Sequence, residues 1–343
     1  MKFDFVIGNP PYQENTIGDN KNYAPPVYHQ FLDSAYEIAD VVEMIHPARF
    51  LFNAGSTPKA WNKKMLNDEH VKVIFYEPKS DDIFPNTEIK GGVAVTYRDK
   101  KTFFGATGTF TPYQELNKIL GKVTNADFQP LSNIMYAPEI YKLTDKLHSD
   151  YPNARNSLSK GHDYDLKSNI FEKLSDIFLA NRPNDGGKYI RIFGRHNNER
   201  VYRWIKAEYI TEPDNLYKYK VFIAKANGSG RFGETMSEPV VAEPGVGNNQ
   251  SFLSIGAVDN EYEAKAISKY VKTKFSRALL GVLKITQDNT KDKWVKVPLQ
   301  DFSTKSDIDW NKTISDIDHQ LYNKYGLSKE EIDFIETNVK EMD

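Results

Sequence analysis

A short apolar run that ends abruptly at two prolines constrains the fold of this chain more than any other feature. Residues 3–7 are apolar at four of five positions, and Gly8-Asn9-Pro10-Pro11 follows at once. Successive prolines cannot continue a ladder of backbone hydrogen bonds, so the pattern predicts a short strand with a fixed end.

Helical and extended patterns then alternate along the first hundred residues. They predict a helix over 28–40, strands over 41–45 and 71–76, a helix over 58–68, and a strand over 91–97 paired as a hairpin with 103–110. The alternation favours an α/β unit with a largely parallel sheet and an antiparallel edge.

Length and composition bound the class of protein. The 343 residues are about twice the usual single-domain length, which predicts two domains, or one large domain with an appendage. The absence of cysteine excludes disulfide frameworks, thiolate nucleophiles, cysteine zinc sites and iron–sulfur clusters. The mean hydropathy is −0.61 and no apolar run approaches membrane length, so we expect a soluble, cytoplasmic protein without a membrane partner. The seven histidines are scattered, and we expect no metal.

The pattern changes beyond about residue 120. Polar helical segments over 133–148 and 168–179 are joined by glycine-rich turns and by short aromatic strands such as 220–224. From Asp307 onward the chain has the pattern of an acidic tail, with two short amphipathic stretches around Gly326. These shifts divide the sequence into three parts: 1–122, 123–306 and 307–343.

The turn after the first predicted strand, Asn9-Pro10-Pro11-Tyr12, is the sharpest chemical signal. In an α/β sheet, ligands lie beyond the carboxyl ends of the strands, which is where this turn falls. The prolines have no N–H groups, so the Asn9 side-chain oxygen and the Pro10 carbonyl form a cluster of acceptors. Two acceptors directed at an exocyclic amine stabilise the positive charge that develops on its nitrogen during methyl transfer. Tyr12 adds a flat face on which an extruded base can stack, worth about 1–3 kcal/mol.

With these residues the sequence resembles the adenine-N6 DNA methyltransferases of type II restriction–modification systems. The similarity covers residues 3–12 and the segment from Phe84 to Tyr97, and it extends more weakly over parts of 218–299 and 322–332. The resemblance implies the C-terminal half of a Rossmann-like S-adenosylmethionine methyltransferase sheet, followed by a mixed α+β target-recognition domain over 123–306 and a helical tail.

The same resemblance implies a role for each residue of the turn. Asn9 and Pro10 would hold the target amine, Pro11 would fix the backbone, and Tyr12 would stack on a flipped adenine. Tyr97 would be the second aromatic of the base sandwich. Gly8, together with Asn9, would contact the cofactor S-adenosylmethionine.

The middle of the chain has the composition of a nucleic-acid interface. Residues 181–231 carry 11 Lys and Arg against 5 Asp and Glu, and aromatic residues are interleaved with them. Such a composition suits phosphate contacts and the reading of base edges. We predict that double-stranded DNA contacts the following residues: Lys188, Arg191, Arg195, His196, Arg203, Lys225, Lys274, Lys284 and Lys293.

The resemblance also implies a glycine-rich cofactor turn ahead of the catalytic strand, yet only two residues precede that strand. Gly228-Ser229-Gly230 and Gly245-Val246-Gly247 are the nearest candidates, and both are interpreted as loops because neither opens a helix after an apolar strand. We therefore expect the cofactor-binding half in a partner subunit or in a missing segment. A half-sheet would expose a strand edge and apolar faces that such a partner covers.

Three alternatives to a DNA adenine methyltransferase stay open on the sequence alone. The same turn suits methyl transfer to a protein glutamine or to RNA, and the acceptor on DNA could be the amine of cytosine. The chain could also be a DNA-binding specificity module, or a truncated relic, without catalysis. Asp82 and Glu88-Ile89-Lys90 have the residue types of a nuclease metal site, but Lys90 opens a strand that the methyltransferase resemblance already explains.

Overall fold

The computed structural model describes residues 2–14, 24–53, 55–87, 89, 91–124, 127–284 and 286–342. The chain divides into two compact units, Met1–Asn117 and Lys118–Asp343. This division by compactness does not test the three functional parts inferred from the sequence, which stay predictions.

The first unit alternates strands and helices close to the predicted bounds. Its elements are β1 (Phe3–Gly8), α1 (Tyr28–Ile38), β2 (Ala39–Pro47), a 3-10 turn (Ala48–Phe52), α2 (Lys59–Asn67), β3 (Val71–Glu77), a second 3-10 turn (Ser80–Asp82) and β4 (Val93–Asp99). Helix α3 (Gln114–Val123) contains the boundary between the units.

The four strands form one sheet in the order β1-β2-β4-β3. β1 is parallel to β2, and β4 is antiparallel to both of its neighbours, so three strands share one direction. The antiparallel strand therefore lies inside the sheet, and the prediction that it forms the edge is wrong. The predicted hairpin with 103–110 is also wrong, because both edges of β4 are already paired. The Phe104 amide instead donates to the Glu69 carbonyl at 2.8 Å.

The core of this unit lies on one face of the sheet. Helices α1 and α2 bury Leu32, Trp61 and Met65 against that face. Because side chains alternate along a strand, Phe3, Phe5 and Ile7 point to the opposite face. There they are 46%, 47% and 71% exposed. An apolar face beside the edge strand β1 thus has no helix packed on it within the described residues.

The second unit is mixed α/β. It contains the short strand β5 (Met135–Tyr136), strands β6 (Tyr189–His196), β7 (Glu199–Lys206), β8 (Tyr219–Ala224), β9 (Val240–Ala242), β10 (Val246–Asn248) and β11 (Phe252–Val258), and helices α4 (Asp145–Asp150), α5 (Ala154–Ser157), α6 (Ile170–Lys173), α7 (Glu261–Lys272), α8 (Lys274–Leu280), α9 (Ile314–Lys324) and α10 (Lys329–Asn338). The strands form two sheets, in the orders β10-β6-β7 and β5-β11-β8-β9.

Two helices predicted in this unit are much shorter than expected. The segment 133–148 is helical only from Asp145, because Leu143 bridges to Ile210 in extended conformation and is buried. The segment 168–179 contains only the four-residue helix α6. The predicted strand over 220–224 and the two helices of the tail are confirmed, and Gly326, with φ of 59°, separates those helices.

Two features of the described residues bear on binding to a membrane or to a metal ion. None of their helices is long and apolar enough to cross a membrane. No group of three His, Asp or Glu side chains among them is arranged to hold a metal ion.

Candidate functional site

The turn Asn9-Pro10-Pro11-Tyr12 follows the carboxyl end of β1, as predicted. The parallel neighbour β2 ends at the same edge, at Pro47, because Gly8 is in register with Met44. Asn9 and Pro11 are exposed, whereas Pro10 is buried and fixes the turn against the protein. Within the described residues, no group donates a hydrogen bond to the Asn9 side chain or to the Pro10 carbonyl. Both acceptors are therefore unused among the described residues, and the Asn9 side chain is exposed.

Tyr12 is held by the backbone and lies half-buried on the core. Its carbonyl accepts from the Val27 amide at 3.1 Å, just before α1, and the ring packs on the core cluster of the first unit. The hydroxyl is buried and has no partner among the described residues. Burial also raises the pKa of the Tyr12 phenol. A buried hydroxyl without a partner costs about 1–3 kcal/mol, which is typical of a residue kept for binding.

A second aromatic ring lies beside Tyr12. Phe84 belongs to the loop that follows β3, and its ring centroid is 6.4 Å from that of Tyr12 at an interplanar angle of 69°. Phe84 lies within the segment that carries the resemblance, but its position beside Tyr12 does not follow from the sequence. The available signal was an aromatic residue before a proline, in a loop that returns through Gly91-Gly92 to a strand.

The loop that carries Phe84 is ordered by one buried serine. The Ser80 hydroxyl donates to the Thr87 carbonyl and accepts from the Ile89 amide, both at 2.7 Å. The Ser80 carbonyl accepts from the Phe84 amide, also at 2.7 Å. These three bonds fix the path of the backbone on both sides of the Phe84 ring.

Two glycines close the same loop. Gly91 and Gly92 have φ of 90° and 79°, a region that residues with a side chain rarely adopt. A Cβ at Gly92 would lie 2.3 Å from the Glu77 carbonyl oxygen, closer than any real contact. The Gly92 carbonyl also accepts from the Ala48 amide at 3.0 Å, which ties the loop to the end of β2. Glycine is therefore required at position 92.

Tyr97, the predicted second aromatic, lies elsewhere. It is in the middle of β4, opposite Glu43, and strand alternation directs it away from the face on which Tyr12 packs. Its ring contacts Phe104 at 6.0 Å and lies under the Lys72 ammonium at 5.2 Å. No ring contact with Tyr12 exists within the described residues, and the role assigned to Tyr97 stays a prediction.

A buried histidine supports the carboxyl end of β2, and sequence analysis gave it no function. His46 Nδ1 is 3.2 Å from the Pro47 carbonyl oxygen and Nε2 is 2.9 Å from the Thr96 hydroxyl, so a neutral ring with its proton on Nδ1 satisfies both. The ring stacks on Tyr28 at 5.8 Å. Burial lowers the pKa of His46 to about 4, although the bond to Pro47 acts in the opposite direction. The residue is a structural support in its neutral form.

Some of the predicted DNA contacts lie together on the hairpin of β6 and β7. Arg191 and Arg195 of β6 share one face of this ribbon with Tyr202 and Trp204 of β7. The Arg191 guanidinium lies 5.2 Å from the Tyr202 ring and 5.6 Å from the Trp204 ring, and it pairs with Glu243 at 2.9 Å. Lys188 is exposed just before β6.

The remaining predicted contacts are not gathered on that face. His196 and Arg203 alternate to the opposite side, where Arg203 Nη2 lies 3.5 Å from His196 Nδ1. Four lysines are in ion pairs: Lys225 with Glu139, Lys274 with Glu336, Lys284 with Glu234 and Lys293 with Asp292. Lys284 is only 6% exposed and also donates to the Asn227 carbonyl at 2.8 Å, so its charge is used inside the protein.

The two glycine-rich segments do not fit a cofactor turn. The Ser229 and Gly230 amides donate to the Glu234 carboxylate at 2.8 and 2.9 Å, so these donors are occupied. Val246–Asn248 is strand β10, in parallel register with β6, and is not a loop as predicted. Neither segment therefore serves as a cofactor turn, and the place where S-adenosylmethionine would bind stays a prediction. Assignment of Gly8 and Asn9 to its reactive end stays a prediction.

Comparison with known proteins agrees with the resemblance of the first segment. Residues 1–84 match the family Eco57I restriction-modification methylase. Over 95 residues the chain is 36% identical to an uncharacterized adenine-specific methylase of Mycoplasma pneumoniae (strain ATCC 29342 / M129 / Subtype 1). The matched stretch covers 27% of this chain and 22% of that relative. The chain thus spans about a fifth of the length of this curated relative.

Two solved structures are also similar. The type IIG restriction endonuclease BpuSI has 11% identity and a TM-score of 0.31, with 84% of this chain and 43% of that chain covered. The type IIL restriction-modification enzyme MmeI in complex with DNA has 10% identity and a TM-score of 0.33, with 98% and 56% covered. The segment with Asn9–Tyr12 is therefore similar to restriction–modification methylases, and the prediction of that resemblance is confirmed for residues 1–84.

Proposed function

We propose that this chain supplies the catalytic motif and the target-recognition part of a site-specific DNA methyltransferase that acts on N6 of adenine. The observation that carries the proposal is the grouping of two unused acceptors with two aromatic rings beyond the sheet. Asn9 and Pro10 provide the acceptors, and Tyr12 and Phe84 provide the rings, 6.4 Å apart.

The chain's own residues account for how an adenine would be held. The Asn9 side-chain oxygen and the Pro10 carbonyl accept the two hydrogens of the amine and stabilise positive charge on its nitrogen. Tyr12 offers a ring for stacking, and Phe84 limits the position of the base from the side. S-adenosylmethionine, which the resemblance implies, would supply the electrophilic methyl group. The ordered loop of Ser80 reduces the entropic cost of forming this arrangement.

A partner for cofactor binding is part of the proposal. The outer edge of β1 is unpaired among the described residues, and Phe3, Phe5 and Ile7 are exposed on the face without helices. An open strand edge beside an apolar face is a site for another chain segment. We assign this surface to the cofactor-binding segment, whether it belongs to a separate subunit or to the same polypeptide.

Transfer of a labelled methyl group tests the function. The chain, alone and co-expressed with the product of the adjacent upstream gene, is incubated with labelled S-adenosylmethionine and mixed-sequence duplex DNA. We expect N6-methyladenine by mass spectrometry in at least one preparation. Failure of both preparations would refute the proposal, and label on protein, on RNA or on cytosine would point to the alternative acceptors.

Variants of asparagine separate catalysis from binding. Asn9→Ala removes one acceptor and is expected to abolish transfer while DNA binding is retained. Asn67→Ala, at an exposed position of helix α2 in the first unit, is the matched control and should behave like the unmodified chain. Equal loss of DNA binding and transfer in Asn9→Ala would indicate that the motif is structural. DNA binding by the unmodified chain without any transfer would indicate a specificity module.

A further inference from the structure

The free end of the β6–β7 hairpin has a defined and compact geometry. The two strands are in register over all eight pairs, from Tyr189 with Lys206 to His196 with Glu199. Only Asn197 and Asn198 connect them, and their φ values are 51° and 64°. A two-residue turn with positive φ at both positions matches the natural twist of an antiparallel ribbon. The connection between the two strands therefore has no slack.

Two arginines face each other directly behind this turn. Arg195 and Arg200 form a cross-strand pair on the same face of the ribbon, and like charges in such a pair repel. Arg195 is exposed, and no carboxylate pairs with it within the described residues. Burial and the charge of Arg195 lower the pKa of Arg200, while the Glu238 carboxylate acts in the opposite direction. An arrangement that is unfavourable in the free protein becomes favourable when an electron-rich ligand lies between the two guanidinium groups.

The surroundings hold Arg200 in place without a direct ion pair among the described residues. Its Nη1 donates to the Glu238 backbone carbonyl at 2.6 Å, and its guanidinium lies 5.7 Å from the Phe252 ring. Asn197 and Asn198 are exposed next to it at the end of the ribbon. Glu199 is also exposed there, but it pairs with His196 and so lies on the opposite face from the two arginines.

We propose that the hairpin end, residues 195–200, enters the major groove of duplex DNA and reads base edges with Arg195, Asn197, Asn198 and Arg200. The major groove admits a two-stranded ribbon, arginine pairs bidentately with guanine, and asparagine pairs bidentately with adenine. Arg191 and Trp204 lie further along the same face, where the ribbon would meet the sugar–phosphate backbone, while Tyr202 between them packs on Phe193. This assignment rests on the proposed DNA methyltransferase function and adds the element that sets its target sequence.

Selection from a random duplex library tests the assignment directly. The full chain, in the preparation that binds DNA, is used to retain and sequence preferred duplexes. Asn197→Gly with Asn198→Gly keeps the positive φ of the turn but removes both amides. Arg195→Lys and Arg200→Lys keep the charge but remove the bidentate fork. Each ribbon variant should relax the preference at one or two positions by about 5- to 150-fold, while binding to random DNA and its salt dependence stay within twofold.

A matched variant and a chemical probe complete the test. Lys218→Arg, in an exposed ion pair with Asp259 outside the hairpin, should leave the preferred sequence unchanged. Guanine N7 atoms in the preferred site should be protected from dimethyl sulfate by the unmodified chain and less so by Arg195→Lys. An unchanged preference in all ribbon variants, or a chain that binds without any preference, would overturn this assignment alone. Absence of DNA binding, or preference for an acidic peptide, would overturn the proposed function as well.

Discussion

Tyr12 and Phe84 follow the two edge strands of the four-stranded sheet, yet their ring centroids are only 6.4 Å apart. The loop after β3 crosses the carboxyl end of the sheet to bring the two rings together. Ser80 and Gly92 fix that crossing through hydrogen bonds and close backbone contact. The pair therefore depends on the path that the Ser80 hydroxyl and the close approach at Gly92 impose on the loop.

Replacement of Phe84 is the first prediction. Phe84→Leu keeps an apolar side chain but removes the ring, and base–aromatic contacts are worth about 1–3 kcal/mol. We expect methyl transfer, measured as kcat/KM, to fall about 5- to 150-fold. Phe103→Leu, at a 68% exposed phenylalanine of the same unit, should have no effect. A larger loss in Tyr97→Leu than in Phe84→Leu would return the second aromatic role to Tyr97.

Replacement of Gly92 is the second prediction, and the chain offers a close control. Gly92→Ala and Gly105→Ala both place a side chain at positive φ, 79° and 83°, which costs roughly 1–2 kcal/mol. Only the Cβ at position 92 meets backbone, at 2.3 Å, whereas nothing lies within 4 Å of position 105. Urea denaturation should show that Gly92→Ala loses about 1–3 kcal/mol more than Gly105→Ala. Equal losses would mean that the contact with Glu77 relaxes freely.

The sequence predicted the parts of the fold that depend on local pattern. The strand ending at Gly8, the helices of the tail and the strand at 220–224 follow from apolar periodicity and from breakers, and all are present. The internal position of β4 could not be predicted, because strand order depends on contacts between distant segments. The role of Phe84 was missed for the same reason: its neighbour Tyr12 is remote in sequence. From the sequence, Lys284 is expected to be a basic surface residue. Its contact with Glu234 depends on the fold.

The acid response of Glu234 is the third prediction. Burial raises the pKa of this carboxyl, but hydrogen bonds from Lys284, Ser229 and Gly230 outweigh it and lower the pKa to about 2. In the unfolded chain this carboxyl has the ordinary pKa of 4.5, so the stabilisation is complete above pH 4.5 and is lost as the pH falls towards 2.

In urea denaturation, Glu234→Gln should lose stability at pH 6, and its free energy of unfolding should decrease less than that of the unmodified chain between pH 5 and pH 3. Glu238→Gln, which replaces a 61% exposed carboxylate paired with Lys272, should change neither the stability at pH 6 nor its decrease on acidification. A decrease in Glu234→Gln as steep as in the unmodified chain would contradict the assignment.

Replacement of Lys284 is the fourth prediction, and it separates structural from DNA-binding lysines. Lys284 Nζ is bonded to Glu234 at 2.7 Å and to two backbone carbonyls, and it is nearly inaccessible. Lys284→Met would leave Glu234 without its cation, and we expect a loss of about 3 kcal/mol in the free energy of unfolding.

The matched variant is Lys293→Met, since the Lys293 partner Asp292 is 64% exposed and such pairs contribute less than about 1 kcal/mol. The salt dependence of DNA binding provides the second measurement. A phosphate contact contributes about one unit to the slope of log affinity against log salt concentration. Lys284→Met should leave this slope unchanged at a temperature where the variant is folded. A slope reduced by one unit, with stability intact, would instead make Lys284 a phosphate contact, as its sequence context first indicated.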